Sequence, residues 1–93
     1  MKIQHEEDDK KGYFYIEIEG KRKAEMVYSK AGANLLIIEH TEVSDELRGT
    51  GSGNKLVLAA VELARSQNKK ILPLCPFAKS VFKKQPEIQD VLK

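Results

Sequence analysis

Cysteine is nearly absent: Cys75 is the single one among 93 residues, and only two histidines, His5 and His40, accompany it. That scarcity excludes an intramolecular disulfide and a thiolate zinc cage, so no metal site is expected. No apolar run approaches the roughly 20 residues of a membrane-spanning helix. The opening segment MKIQHEEDDK lacks the apolar stretch of a secretory signal, so a cytoplasmic location is the default expectation. Charge of one sign is also in short supply, since 16 Lys and Arg offset 14 Asp and Glu to leave a net +2. Scattered lysines do not make the basic face of a protein devoted to nucleic acid, and a nucleic-acid partner is not expected. Modest positive charge does suit a polyanionic ligand. Repeats, linkers and low-complexity tracts are missing as well.

Ninety-three residues allow one domain spanning 1–93, because single cores typically occupy about 50 to 250 residues. Folding at this size buries roughly 60 to 70% of the extended chain's surface. A lid or a large substrate pocket would have to come from another chain, and a monomer or weak dimer is expected. Residues 13–18 alternate, with Phe14, Ile16 and Ile18 opposing Tyr13, Tyr15 and Glu17, the period of a half-buried strand. Glu19, Gly20, Lys21 and Arg22 read as its turn. Residues 24–29 alternate again, residues 31–34 turn, and Leu35, Leu36, Ile37 and Ile38 form a buried strand, giving an antiparallel meander. Residues 1–5 are open to adding an edge strand, and His5 reads as a solvated side chain.

Beyond residue 51 the apolar period changes. Leu56, Ala60, Leu63 and Ala64 fall on one helical stripe with Val57 and Val61 beside it, as far as about Gln67, where Asn68 stops the helix. Residues 70–75 then read as a strand with Ile71, Leu72 and Leu74 buried. Pro76 opens a second helix carrying Val81 and Phe82 inward until Pro86, after which Ile88, Val91 and Leu92 pack back. A strand, loop, helix and strand in this order imply a right-handed crossover and a parallel pair. The fold class is therefore α/β (α+β): a mixed, mostly antiparallel sheet with one parallel pair, flanked by two main helices.

The junction between the third strand and the first helix, VSDELRGTGSG, carries Gly49, Gly51 and Gly53 at alternate positions. Glycines leading into a helix let the main chain approach a ligand where no Cβ intervenes, beside the unpaired first amides, and phosphate is the usual occupant. A nucleoside-triphosphate loop would need Lys and then Ser or Thr after its glycine, whereas Asn54, Lys55 and Leu56 follow Gly53. A dinucleotide loop would begin directly after its strand, whereas several polar residues intervene here. What remains is Arg-x-x-Gly-x-Gly, at Arg48, Gly51 and Gly53. With the flanking strand and helix, this resembles the coenzyme A loop of the GNAT (acyl-CoA N-acyltransferase) superfamily. From about residue 35 to residue 82 it more closely resembles a small single-domain branch, the N-acetyltransferase-domain-containing-1-like proteins.

The resemblance implies that the parallel strands splay and that the pantetheine arm of acetyl-CoA or coenzyme A pairs with Thr41, Glu42 and Val43. Arg48, Gly49, Thr50, Gly51, Ser52 and Gly53 would then meet the pyrophosphate, with Arg48 alternatively a tether to the acidic loop. Lys55, Lys79, Lys83 or Lys84 could meet the 3′-phosphate. Family chemistry implies attack of an amine on the thioester. His40 is favoured over Glu39 and Glu42 as general base, because a free imidazole titrates near 6.5. Its alternative is a hydrogen-bonded core residue. The tyrosine that many relatives use to protonate the coenzyme thiolate is replaced here by Phe82. Cys75 stands open to three roles: proton donor, acyl-carrying nucleophile, or core residue. Tyr13, Tyr15 and Tyr28 read as sheet packing. The implied function is N-acetyl transfer from acetyl-CoA to an unidentified amine, small molecule or protein. The alternative is a non-catalytic module that binds coenzyme A or acyl-CoA or docks on a protein.

Overall fold

The structure is a computed structural model describing residues 2–93. Five strands, β1 (Gln4–Glu7), β2 (Lys11–Ile18), β3 (Lys21–Ala31), β4 (Leu35–Val43) and β5 (Lys70–Pro73), lie in one sheet in chain order. β1 to β4 pair antiparallel, and β4 pairs β5 in parallel. Helix α1 (Ser52–Gln67) connects the parallel strands, α2 (Pro76–Lys84) follows β5, and a 3₁₀ segment (Pro86–Val91) packs back on the core. The mixed sheet flanked by helices is the architecture that the periodicities imply.

Alternation sorts the strand residues into two faces. Phe14, Ile16, Ala24, Met26, Tyr28, Leu36 and Ile38 point to a core completed by Leu56, Val57, Ala60, Val61 and Ala64 of α1 and by Ala78, Val81 and Phe82 of α2. Burying each large aliphatic side chain there stabilises the fold by about 1.5–3 kcal/mol relative to leaving it exposed. β2 and β3 are joined by only two residues, Glu19 and Gly20, with φ of 52° and 79°. This is the left-handed geometry of a primed hairpin turn, and it leaves Lys21 and Arg22 inside β3 rather than in the turn.

Two bulges interrupt the ladder. Ile16 faces Ala24 but Glu17 faces Arg22, so Lys23 is the extra residue of β3. Tyr28 faces Ile38 but Val27 faces His40, so Glu39 is the extra residue of β4. Each extra residue shifts the side-chain alternation by one position. Thr41 and Val43 therefore continue the helix-covered face, opposite Met26 and Ala24, while His40 and Glu42 stand on the other face with Val27 and Glu25.

β5 is shorter than its apolar run suggests. Pairing ends at Ile38 with Pro73, which has no N–H to extend a ladder, and Leu74 N–H makes one last bond to Ile38 O at 2.9 Å. Leu74 is exposed rather than buried, at 52%. From Glu39 to Val43, β4 has no β5 partner, which is the expected splay. At the other edge β1 occupies Gln4–Glu7, and Met1 lies outside the described residues. His5 is not merely solvated: its ring stacks on Phe14 at 4.2 Å and its Nε2 lies 2.6 Å from Tyr28 Oη. The Tyr28 hydroxyl in turn donates to Glu7 Oε2 at 2.6 Å, so His5 Nε2–H is the donor to Tyr28.

Candidate functional site

β4 ends at Val43, and a 3₁₀ turn (Asp45–Leu47) carries the chain over to Arg48, with Leu47 buried as its plug. Gly49 and Gly51 both have φ of 79°, and a Cβ built on either would meet nothing within 4 Å. The backbone there is exposed to a ligand and held in a conformation that L side chains resist. Thr50 Oγ1 donates to Leu47 O at 2.5 Å and lies 2.5 Å from Ser52 Oγ, so these hydroxyls fold the loop onto itself. The first bond of the α1 ladder runs from Lys55 N–H to Gly51 O at 3.0 Å, leaving the preceding amides at the helix's positive end outside that ladder.

Gly53 serves a different purpose. Its backbone touches the Phe77 ring at the start of α2, closely enough that a Cβ would fall 2.6 Å from Phe77 Cζ. Thr41, Val43, Leu47, Gly49, Gly51, Gly53 and Phe77, with Arg48, Ser52 and Asn54, line a cleft of about 450 Å³. Its Cβ-free rim at Gly49 and Gly51 fits a phosphate, and its apolar side fits a flexible arm running toward the splay. Arg48 pairs with Asp45 at 3.1 Å yet is 74% exposed, so the acidic-loop tether and the cleft contact coexist in one side chain. Lys55, Lys79, Lys83 and Lys84 are all exposed, and none lines the cleft.

Cys75 stands at the N-cap of α2, where its Sγ accepts the Ala78 N–H at 3.3 Å. The thiol is buried, and Thr41 Oγ1 lies 3.4 Å from it across the splay. The structure thus joins Cys75 to the cleft wall through Thr41. It does not bring His40 to Cys75. The bulge at Glu39 sends His40 to the opposite face, exposed, with Nε2 2.7 Å from Glu42 Oε1. His40 is therefore not a core histidine, and Glu42 holds it by a side-chain bond. Phe82 is buried in the core at 2% exposure, and Tyr13, Tyr15 and Tyr28 line neither the cleft nor the splay. Among the described residues no cluster of His, Cys, Asp and Glu is placed to hold a metal, and no helix is long and apolar enough to cross a membrane.

Sequence reasoning missed Phe77. An apolar residue in the first turn of a helix, and a third glycine at a position that needs no positive φ, are the signals that together point to a ring packed on a backbone.

The geometry has counterparts. An NMR solution structure of a GCN5-like protein from Staphylococcus aureus is 40% identical, with 97% of this chain and 87% of that one covered at a TM-score of 0.73. The Tetrahymena GCN5 crystal structure shares the fold at 20% identity and a TM-score of 0.68, with 84% of this chain and 51% of that one covered. Protein NATD1 of Gallus gallus is 29% identical over 85 residues, 90% of this chain and 77% of its own. Residues 13–91 match the sequence model of the family described as GCN5-related N-acetyl-transferase. The chain therefore belongs to the GCN5-related N-acetyltransferase family, in the NATD1-like branch of small acetyltransferases, and its fold points to acetyl-CoA binding and acetyl transfer.

Proposed function

We propose that the protein is an acetyl-CoA-dependent N-acetyltransferase, acting in the cytoplasm on an amine. The observation that carries this reading is the cleft lined by the Gly49–Gly51 turn and by the end of β4 that β5 leaves unpaired, with Cys75 Sγ behind that wall, 3.4 Å from Thr41 Oγ1. Main-chain amides at the glycine turn and the start of α1 hold the pyrophosphate, with Arg48 beside it. Val43, Leu47 and Phe77 flank the pantetheine arm, and the edge of β4 from Thr41 to Val43 offers it hydrogen bonds.

In the transfer, the amine nitrogen bonds to the acetyl carbon and the carbon–sulfur bond breaks. His40 takes the proton that the nitrogen must lose, steadied by Glu42 at 2.7 Å. The Cys75 thiol gives its proton to the departing thiolate and regains one from solvent, so the products are the amide and free CoA. His40 and Cys75 lie on opposite faces of β4, which suits a thioester seated at the splay: base on the amine side, acid on the leaving-group side.

A second reading is favoured by Phe82, which has no proton to supply, and by the exposure of His40. The same cleft would then hold acyl-CoA without turnover. Free-CoA release across a panel of amines and peptides, run beside an NMR titration with CoA, separates the two. Binding at residues 48–55 with acceptor-dependent release supports the enzyme. Binding without release supports the module, and a folded protein unperturbed by saturating CoA defeats both.

A further inference from the structure

A second cleft, of about 460 Å³, opens on the β3 side of the same strand end. Thr41, Val43 and Arg48 line both clefts, so the two are separated only by the terminal part of β4. The volume is that of a small-molecule site. Both bulges serve it: Lys23, the extra residue of β3, is part of its wall, and the extra residue of β4 turns Glu42 toward it.

Its charged residues are of both signs. Arg22 and Lys23 stand with Glu25 and Glu42; Arg22 pairs within the wall with Glu25 at 3.4 Å and outside it with Glu6 at 2.7 Å, while the partners of Lys23 and Arg48, Glu46 at 2.6 Å and Asp45 at 3.1 Å, lie outside. Exposed pairs of this kind are worth only about 0–1 kcal/mol, so a ligand displaces them at small cost. A separate observation points inward. Ser44, also in the wall, has a buried Oγ with no hydrogen-bond partner among the described residues, although it sits at the N-cap of the 3₁₀ turn where such a hydroxyl normally caps. An unpaired buried hydroxyl destabilises the folded chain unless something bonds to it.

We infer that this cleft is the acceptor site and that it takes a small zwitterion, a primary amine carrying a carboxylate a few bonds away. The inference rests on the acetyltransferase reading. A dication would face Arg22, Lys23 and Arg48, and a dianion would face Glu25 and Glu42; one charge of each sign meets a partner for both. The carboxylate lies against Lys23 and Ser44, and the amine lies against Glu42, whose carboxylate holds His40.

The test uses the intact 93-residue chain, ¹⁵N-labelled, with and without saturating CoA. The probes are three amines on one four-carbon chain: 4-aminobutyrate, n-butylamine and 1,4-diaminobutane. 4-Aminobutyrate should shift the amides of Lys23, Glu25 and Ser44. Lys23→Gln should weaken that binding about tenfold and Ser44→Ala about fivefold, while CoA shifts at residues 49–54 stay unchanged. Ser44→Ala should fold with stability equal to or above that of the parent, since it deletes an unpaired buried group. Equal or larger shifts from butylamine or diaminobutane overturn the zwitterion assignment. So do shifts of Lys23, Glu25 and Ser44 by CoA alone, which would give the cleft to the cofactor. CoA binding with no amine reaching those residues removes the acceptor role and leaves the CoA reading intact; no CoA binding removes the reading beneath both.

Discussion

Gly53 and Phe77 compete for one place: a Cβ on the glycine would lie 2.6 Å from Phe77 Cζ and 2.8 Å from Cε2. Phe77 is 41% exposed, so its ring can swing outward rather than force the helices apart. Gly53→Ala also gains about 0.5–1 kcal/mol of helix propensity, which offsets much of the strain. We expect a near-neutral effect on stability by urea denaturation and a clear loss of CoA affinity by calorimetry, as the displaced ring deforms the cleft. With Phe77→Ala in the background, Gly53→Ala should lose most of its effect on binding. Additive effects in that double-mutant cycle would show that the two residues do not act through their contact.

Gly51 poses the opposite problem, because space is free and conformation is not. At φ of 79° an L side chain costs about 1–2 kcal/mol, and a β-branched one more. Gly51→Val should therefore weaken CoA binding partly by straining the turn. Gly51→Asn, which tolerates this region better, isolates the steric part. The Asn variant should recover stability yet still bind CoA less tightly than the parent. Full recovery of affinity would place the phosphate away from this turn.

Replacement of Cys75 separates chemistry from capping. Ser at this position keeps an acceptor for the Ala78 N–H, whereas Ala loses it at a cost of about 0.5–2 kcal/mol. If the thiol is the proton donor, both variants slow turnover by tenfold or more, about 1.4 kcal/mol, while CoA affinity holds. If it is only a cap, Cys75→Ser turns over like the parent. No acetyl mass should accumulate on the intact parent protein after brief exposure to acetyl-CoA. A hydroxylamine-labile adduct at Cys75 would make the cysteine an acyl carrier instead.

His40→Ala should reduce transfer at least tenfold, about 1.4 kcal/mol of barrier, with little effect on CoA binding or on stability, since the ring is exposed and its bond is to the exposed Glu42. Glu42→Gln should have a smaller effect of the same kind. Acceptor-dependent CoA release at saturating acetyl-CoA measures both. Unchanged rates in His40→Ala would leave the amine to lose its proton to solvent.

The β1 lock should respond to pH at both extremes. The Tyr28 hydroxyl bond, then Lys30, holds the Glu7 carboxyl below the usual range despite some desolvation, and burial pushes Tyr28 up, aided by Glu7. The Glu7 contribution is complete above about pH 4.3 and fades as pH falls through its lowered folded value. Tyr28 contributes fully below about pH 10 and loses its share as pH climbs toward its raised folded value. Tyr28→Phe should cost about 1 kcal/mol at neutral pH and flatten both limbs of a stability-versus-pH curve from urea melts. An unchanged acid limb in that variant would mean Glu7 is held by Lys30 alone.

Helix α1, its Asn68 stop and the glycine turn were legible because local chemistry sets them. A period of 3.6 residues, a left-handed C-cap (Asn68 φ of 59°) and a Cβ-free approach do not depend on distant contacts. The bulges were not legible. Glu39 and His40 are both polar, so either could be the inserted residue, and only the register against Tyr28 and Val27 decides it. The two faces of β4, and so the separation of His40 from Cys75, follow from that choice. Leu74 misled for a similar reason. An apolar residue in a strand-like run is buried only while the strand lasts, and the ladder ends at Pro73. His5 looked solvated because its partners, Phe14 and Tyr28, come from two later strands.

Glu39 also makes β4 sensitive to a kind of change that its side chain conceals. The residue is exposed and makes one surface ion pair, with Lys11 at 3.5 Å, so almost any substitution there should be silent. Deleting it would be another matter, because the strand would be read out of frame from that point on. The imidazole and carboxylate of His40 and Glu42 would be thrown under α1 and α2, and Thr41 and Val43 would be turned out to solvent. A position free to vary in identity is thus fixed in number, and related chains should differ there by exchange and not by loss.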